Sequence, residues 1–159
     1  MPILLYRVDE RLIHGQVVVG WGSQLQPHRY VVVDEVVAES EWEQELYALG
    51  VPPGAEALFR TARQAQEELR EWQESALRTV VLTRDLETML DLVREDGIEG
   101  REVNLGGIHF RQGREKVLSY LYLDERDWEI LEELEAEGVR VSARDLPGSP
   151  RVDLERLSR

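Results

Sequence analysis

One histidine, His14, stands in the run Arg7-Val8-Asp9-Glu10-Arg11-Leu12-Ile13-His14-Gly15-Gln16-Val17, with arginines and carboxylates before it and a glycine after it. A neutral imidazole is a nitrogen nucleophile at physiological pH, and a guanidinium nearby neutralises a phosphoryl group. The combination points to a phosphate site beside a nitrogen nucleophile. Arg7 and Arg11 are the candidate phosphate contacts. Asp9 or Glu10 would hydrogen-bond the second ring nitrogen and fix its tautomer. The backbone N–H groups of Gly15, Gln16 and Val17 would meet the oxygens of the group, and Gly15 would let it come close.

That chemistry needs a strand to end and a helix to begin around His14. Residues 3–6 form an apolar run of the buried-strand type, and residues 16–25 carry apolar positions at helical spacing. In an open parallel sheet such a junction lies at the carboxyl ends of the strands, where ligands bind, and the dipole of the following helix favours a neutral imidazole. A second reading stays open: Asp9 could cap a helix running unbroken through Gly15, which would put His14 in its second turn. A histidine in such a loop can also be merely structural.

The same alternation continues downstream. Strands are predicted over 29–34, 55–59, 79–83 and 103–105, and helices over 40–49, 61–72 and 85–94. Ser40 with Glu43 reads as a capping box, Thr61 as a cap, Gly97 as a helix stop, and Gly106-Gly107 as a turn that borders the site. Residues 108–110 and 117–123 flank a polar turn at 111–114 and read as a hairpin, leaving Arg111 as a docking or phosphate candidate. A helix over 125–137 capped by Asp124, a strand over 139–143 near an edge, and a short helix over 152–157 complete the chain. Strand followed by helix, repeated, is the rhythm of a parallel sheet covered on both faces. Trp21, Trp42, Trp72 and Trp128 all fall on apolar helix faces and read as core or half-buried residues.

Composition removes several alternatives. A chain of 159 residues is one domain by size, here residues 1–159, with no linker or repeat to divide it. A net charge of −13 argues against a nucleic-acid or anionic-membrane surface. There is no cysteine, so no disulfide or thiol chemistry, and the three histidines lack metal-ligand spacing; neither metal nor cofactor is expected. No apolar run is long enough to span a bilayer, so a cytoplasmic protein is expected. A Gly-x-Gly-x-x-Gly or P-loop pattern is missing, which disfavours nucleotide enzymes.

The His14 run, Trp21, the stretch Val31-Val32-Val33-Asp34-Glu35, the turn Val51-Pro52-Pro53-Gly54, and Val103-Asn104-Leu105-Gly106-Gly107-Ile108 with Phe110-Arg111-Gln112-Gly113 together resemble the IIB subunit of the mannose/fructose/sorbose family of the bacterial sugar phosphotransferase system. The resemblance continues through residues 123–127 into Gly138-Val139 and covers essentially the whole chain. It implies an open three-layer α/β/α sandwich whose mainly parallel, twisted sheet has about six to seven strands. It implies His14 as phosphocarrier, taking the group from a IIA phosphohistidine and passing it to sugar at the membrane-embedded IIC and IID subunits. The protein would then sit in the cytoplasm, peripherally on that permease, and the resemblance allows a homo-oligomer. Two other readings remain open on the same fold: a regulatory phosphocarrier and a non-catalytic binding module.

Overall fold

Short apolar strands alternate with helices along most of the chain because strands buried on both faces need helices to cover them. The structure, a computed structural model, describes residues 2–95 and 101–157. The strands are β1 (Ile3–Asp9), β2 (Arg29–Val33), β3 (Glu56–Arg60), β4 (Thr79–Thr83), β5 (Glu102–Gly107), β6 (Glu115–Leu118), β7 (Leu121–Leu123), β8 (Arg140–Ala143) and β9 (Val152–Asp153). A π-helical stretch, Gln16–Trp21, runs into α1 (Gly22–Leu25); the other α-helices are α2 (Glu41–Ala48), α3 (Ala62–Glu74), α4 (Leu86–Glu95) and α5 (Glu125–Ala136). Seven strands form one sheet in the order β3-β2-β4-β1-β5-β8-β9, parallel except for β9, and β6 and β7 form a separate hairpin.

Two apolar layers sandwich the sheet. On one side Tyr6, Val8, Val81 and Leu105 meet Leu69 and Trp72 of α3, Met89 of α4, and Leu131 and Leu134 of α5. On the other, Leu12, Ile13 and Val17 meet Tyr30, Val32, Val80 and Leu82. The chain leaves β1 toward β2 across this second face, whereas it leaves β5 toward β8 by way of α5 on the first. The carboxyl ends of β1 and β5 therefore flank a topological switch point, the place where open α/β sheets leave a crevice. His14 lies in the loop that leaves β1 there.

Several expected elements differ. Gly106 and Gly107 are not a turn but the last residues of β5. A Cβ on Gly106 would lie 2.0 Å from Cζ of Arg7, so the guanidinium takes the space that a side chain would need. Gly106→Ala is therefore expected to cost several kcal/mol, on the order of 3, because either the strand or a buried ion pair must move; a urea midpoint equal to wild type would refute this close packing. Ser40 stands at the N-cap of α2 but its hydroxyl caps nothing; Gln44 ties the helix to the preceding turn through the carbonyls of Val37 and Ala38. Capping boxes do form at Thr61/Gln64 and Asp124/Asp127. The paired strands of the hairpin are β6 and β7, and Ile108 instead makes a parallel bridge to Leu121. The expected helix over 152–157 is β9 followed by one 3₁₀ turn, because Val152 pairs with Ala143 at the sheet edge and a single helical turn has little stability alone. Trp42 is 68% exposed rather than core or half-buried. The expected helix stop at Gly97 lies outside the described residues. Among the described residues, no helix is long and apolar enough to cross a membrane.

Candidate active site

The central strand ends in two charged residues that water does not reach. Arg7 and Asp9 are both 0% exposed. They point to the face opposite Tyr6 and Val8, as alternate residues of a strand must. Burying a cation and an anion is costly unless both are fully bonded, and here they are. Arg7 spends all five N–H groups: Nε and Nη2 donate to Asp9 Oδ2 at 3.2 and 3.0 Å, Nη1 to Asn104 Oδ1 at 2.6 Å and the Arg144 carbonyl at 3.1 Å, and Nη2 to the Asp145 carbonyl at 3.0 Å. The guanidinium also lies 5.6 Å from the ring centre of Trp21, whose indole N–H donates to the same Asp145 carbonyl. Arg7 is thus not a phosphate contact, as its sequence position suggested, but the residue that holds Asp9.

Asp9 in turn organises the loop. Its Oδ1 accepts the backbone N–H of Arg11 at 3.0 Å, and its carbonyl accepts that of Leu12 at 3.0 Å, which closes a tight turn and rules out a helix running from Asp9 through Gly15. Leu12 then takes a left-handed conformation, φ 56°, at a cost of about 1–3 kcal/mol. Its side chain and that of Ile13 are buried in the second apolar layer, which compensates for the strain and anchors the loop at both sides of its bend. Helical backbone starts at Gly15, φ −51°, ψ −44°.

His14 follows those anchors, with its side chain 15% exposed and Nε2 2.9 Å from Asp9 Oδ2. A carboxylate only accepts, so Nε2 carries the proton and the lone pair of the neutral ring sits on Nδ1. Among the described residues, Nδ1 has no hydrogen-bond partner. Burial alone would raise the Asp9 pKa, but the His14 hydrogen bond, the Arg7 charge and the Arg11 N–H outweigh it and hold the carboxyl below its ordinary value. Asp9 therefore stays ionised at neutral pH. A depressed folded pKa contributes stability above the unfolded value of about 4 and loses it as pH falls through the folded value. Urea midpoints of wild type should accordingly fall more steeply below about pH 4 than those of Asp9→Asn; parallel acid limbs would contradict it.

The remaining sequence candidates fall into place unevenly. Glu10 does not approach the imidazole; its carboxylate takes Arg114 Nη1 at 2.5 Å and the His109 N–H at 3.1 Å, strapping the loop after β5 to the loop after β1. Arg11 is exposed and reaches Gln16 Oε1 at 2.6 Å. The Val17 N–H is spent on the His14 carbonyl at 3.0 Å, so it cannot face a phosphate; the N–H groups of Gly15 and Gln16 have no acceptor among the described residues. A Cβ on Gly15 would meet nothing within 4 Å, so its surroundings are open to an approaching group. Gly107 borders the site as a strand residue, where a Cβ would lie 3.3 Å from Asp9 Oδ1. The Arg111 side chain is exposed and has no partner among the described residues. Asn104 is 4% exposed, holds Arg7 through Oδ1, and donates to the Arg144 carbonyl at 3.1 Å, yet sequence reasoning passed it over. The available signal was a lone amide between the buried apolar residues Val103 and Leu105.

The sequence profile of the "PTS system sorbose subfamily IIB component" matches residues 3–159. The chain belongs to that family. It is 33% identical over 153 residues to the N-acetylgalactosamine-specific phosphotransferase enzyme IIB component 1 of Escherichia coli K12, covering 96% of each chain. Against the mannose-specific EIIAB component of the same organism it is 30% identical over 154 residues, which is 97% of this chain and 47% of that one. The crystal structure of the IIB domain of the sorbose permease from Klebsiella pneumoniae superimposes with a TM-score of 0.86 at 27% identity, covering 97% of this chain and 94% of the other. The mainly parallel sheet with helices on both faces is thus the IIB fold. As a IIB component, the chain is a transferase subunit of a sugar phosphotransferase system, a family that works with IIA and with IIC and IID partners.

Proposed function

We propose that this IIB protein, as one domain over residues 1–159, carries the phosphoryl group on Nδ1 of His14. The observation that carries the reading is the 2.9 Å contact from Nε2 to a buried, ionised Asp9, which leaves the other nitrogen with its lone pair at the carboxyl edge of the sheet. In the forward step the Nδ1 pair forms a P–N bond as the bond to the donor's imidazole nitrogen breaks. The ring then bears both the phosphoryl group and the Nε2 proton, and Asp9 offsets the positive charge this creates. In the second step a sugar hydroxyl oxygen attacks phosphorus, Nδ1 recovers its electron pair, and the hydroxyl proton leaves to base. Phosphoryl transfer of this kind asks the protein mainly for position and charge. Arg11 and the N–H groups of Gly15 and Gln16 would give both. The matched relatives bear the names of different sugars, so this assignment extends to the chemistry and not to one sugar. The protein acts in the cytoplasm, docked in turn on a IIA donor and on the membrane subunits.

Incubation with phosphorylated IIA from the same organism, followed by mass spectrometry at alkaline pH and ³¹P–¹⁵N correlation NMR, tests this reading. One phosphoryl group on Nδ1 of His14 is expected. A label on Nε2, or no label on folded protein with an active donor, would overturn it.

A further inference from the structure

Helix α2 is built the wrong way round for a core element. None of its residues is buried, its inward side includes Gln44, and Trp42 and Leu46 on the helix with Leu49 just after it stand outward at 68%, 58% and 83% exposure. Their spacing of four and then three residues makes one continuous apolar stripe, the spacing by which a helix seats in a partner's groove. The local sequence is acidic: from Tyr30 to Phe59 there are seven acidic residues and no basic one, and Arg84, which reaches this segment from the end of β4, is tied down by Asp34 at 3.3 Å and by Tyr47. Glu39, Glu41 and Glu45 are exposed beside the stripe. The helix also adjoins the His14 loop, since Tyr47 shares an apolar cluster with Ile13, and a methyl on Gly50 would lie 3.5 Å from Ile13 Cγ2.

We propose that α2 is the docking element for the membrane subunits, seating Trp42, Leu46 and Leu49 in an apolar groove bordered by Lys and Arg on their cytoplasmic side. This rests on the phosphocarrier reading and adds which surface meets which partner. Cytoplasmic loops of membrane proteins carry an excess of Lys and Arg, which complements the acidic frame. An anionic lipid surface would repel that frame, and so would the same helix of a second copy across a two-fold axis. Donor and acceptor must visit one nitrogen in turn, so they need separate holds; exposed Arg11 and Arg111 offer the donor a cationic one, and α2 offers the membrane subunits another.

The test compares co-sedimentation of unphosphorylated protein with vesicles that contain the cognate IIC and IID subunits and with empty vesicles of the same lipids. Wild type should bind the loaded vesicles selectively, and Trp42→Ala/Leu49→Ala and Glu41→Lys/Glu45→Lys should each weaken this by at least about ten-fold, the exposed positions leaving the fold intact. Acceptance of phosphate from IIA should stay within about two-fold in both variants. Equal binding to empty vesicles, unchanged binding by the variants, loss of donor transfer instead, or a wild-type dimer that Trp42→Ala/Leu49→Ala dissociates would each overturn the proposal. Selective binding without any label on His14 would sustain it and refute the carrier reading instead, so the two fail separately.

Discussion

His14→Ala is expected to abolish phosphoryl acceptance from IIA, a loss of at least about 1,000-fold, because it removes the proposed nucleophile itself. The fold should survive. The imidazole contributes one hydrogen bond from a partly exposed position, and Asp9 keeps Arg7 on Oδ2 and the Arg11 N–H on Oδ1. The stability change should stay within about 3 kcal/mol, the upper end for one hydrogen bond to a charged group. Quantitative phosphoprotein mass spectrometry, paired with thermal melts, checks both parts. The other histidine at the carboxyl end of the sheet is His109, two residues beyond β5, whereas His28 precedes β2 at the opposite end. Residual label in His14→Ala that maps to His109 would mean the wrong nucleophile had been assigned; an unfolded variant would mean His14 has a structural weight its single contact does not suggest.

The second large effect is on stability. Arg7→Ala should cost about 3–5 kcal/mol, the range for removing one partner of a buried ion pair. In a protein of this length that corresponds to a fall in melting temperature on the order of 10 °C. The cause is what the variant leaves behind: an ionised Asp9 with 0% exposure, Asn104 Oδ1 without its donor, and two main-chain carbonyls, Arg144 and Asp145, each reduced to one donor, from Asn104 and Trp21 respectively. Asp9→Asn in the Arg7→Ala background should recover part of the loss, since it removes the uncompensated charge. Additive effects of the two substitutions, or a melt within about 2 °C of wild type, would show that the pair contributes little. The same variant should slow acceptance at His14, through Asp9, because a carboxylate no longer fixed cannot hold the imidazole.

Much of this protein was legible in the chain itself, and the reason is range. Runs such as residues 29–33 and 79–83 announce strands because burial on both faces demands apolar residues one after another. Thr61 and Asp124 announce helix starts because caps act within one turn. The order of strand and helix then carries the layered architecture, and the strand-to-helix step at His14 places that histidine at the ligand-binding edge. What only the tertiary structure decided depends on residues far apart in the chain. Arg7 looked like a phosphate contact until its partners, 97 positions away at Asn104 and 137 at Arg144, showed every N–H already committed. Gly106 looked like a turn until a guanidinium from the neighbouring strand filled the space beside it. The apolar spacing of α2 was visible, but its direction was not, because a helical stripe looks the same in sequence whether it faces the sheet or a partner. The nitrogen of His14 left free was likewise settled by the fold, since local sequence offered Asp9 and Glu10 alike and only the turn at Leu12 brings one of them to Nε2.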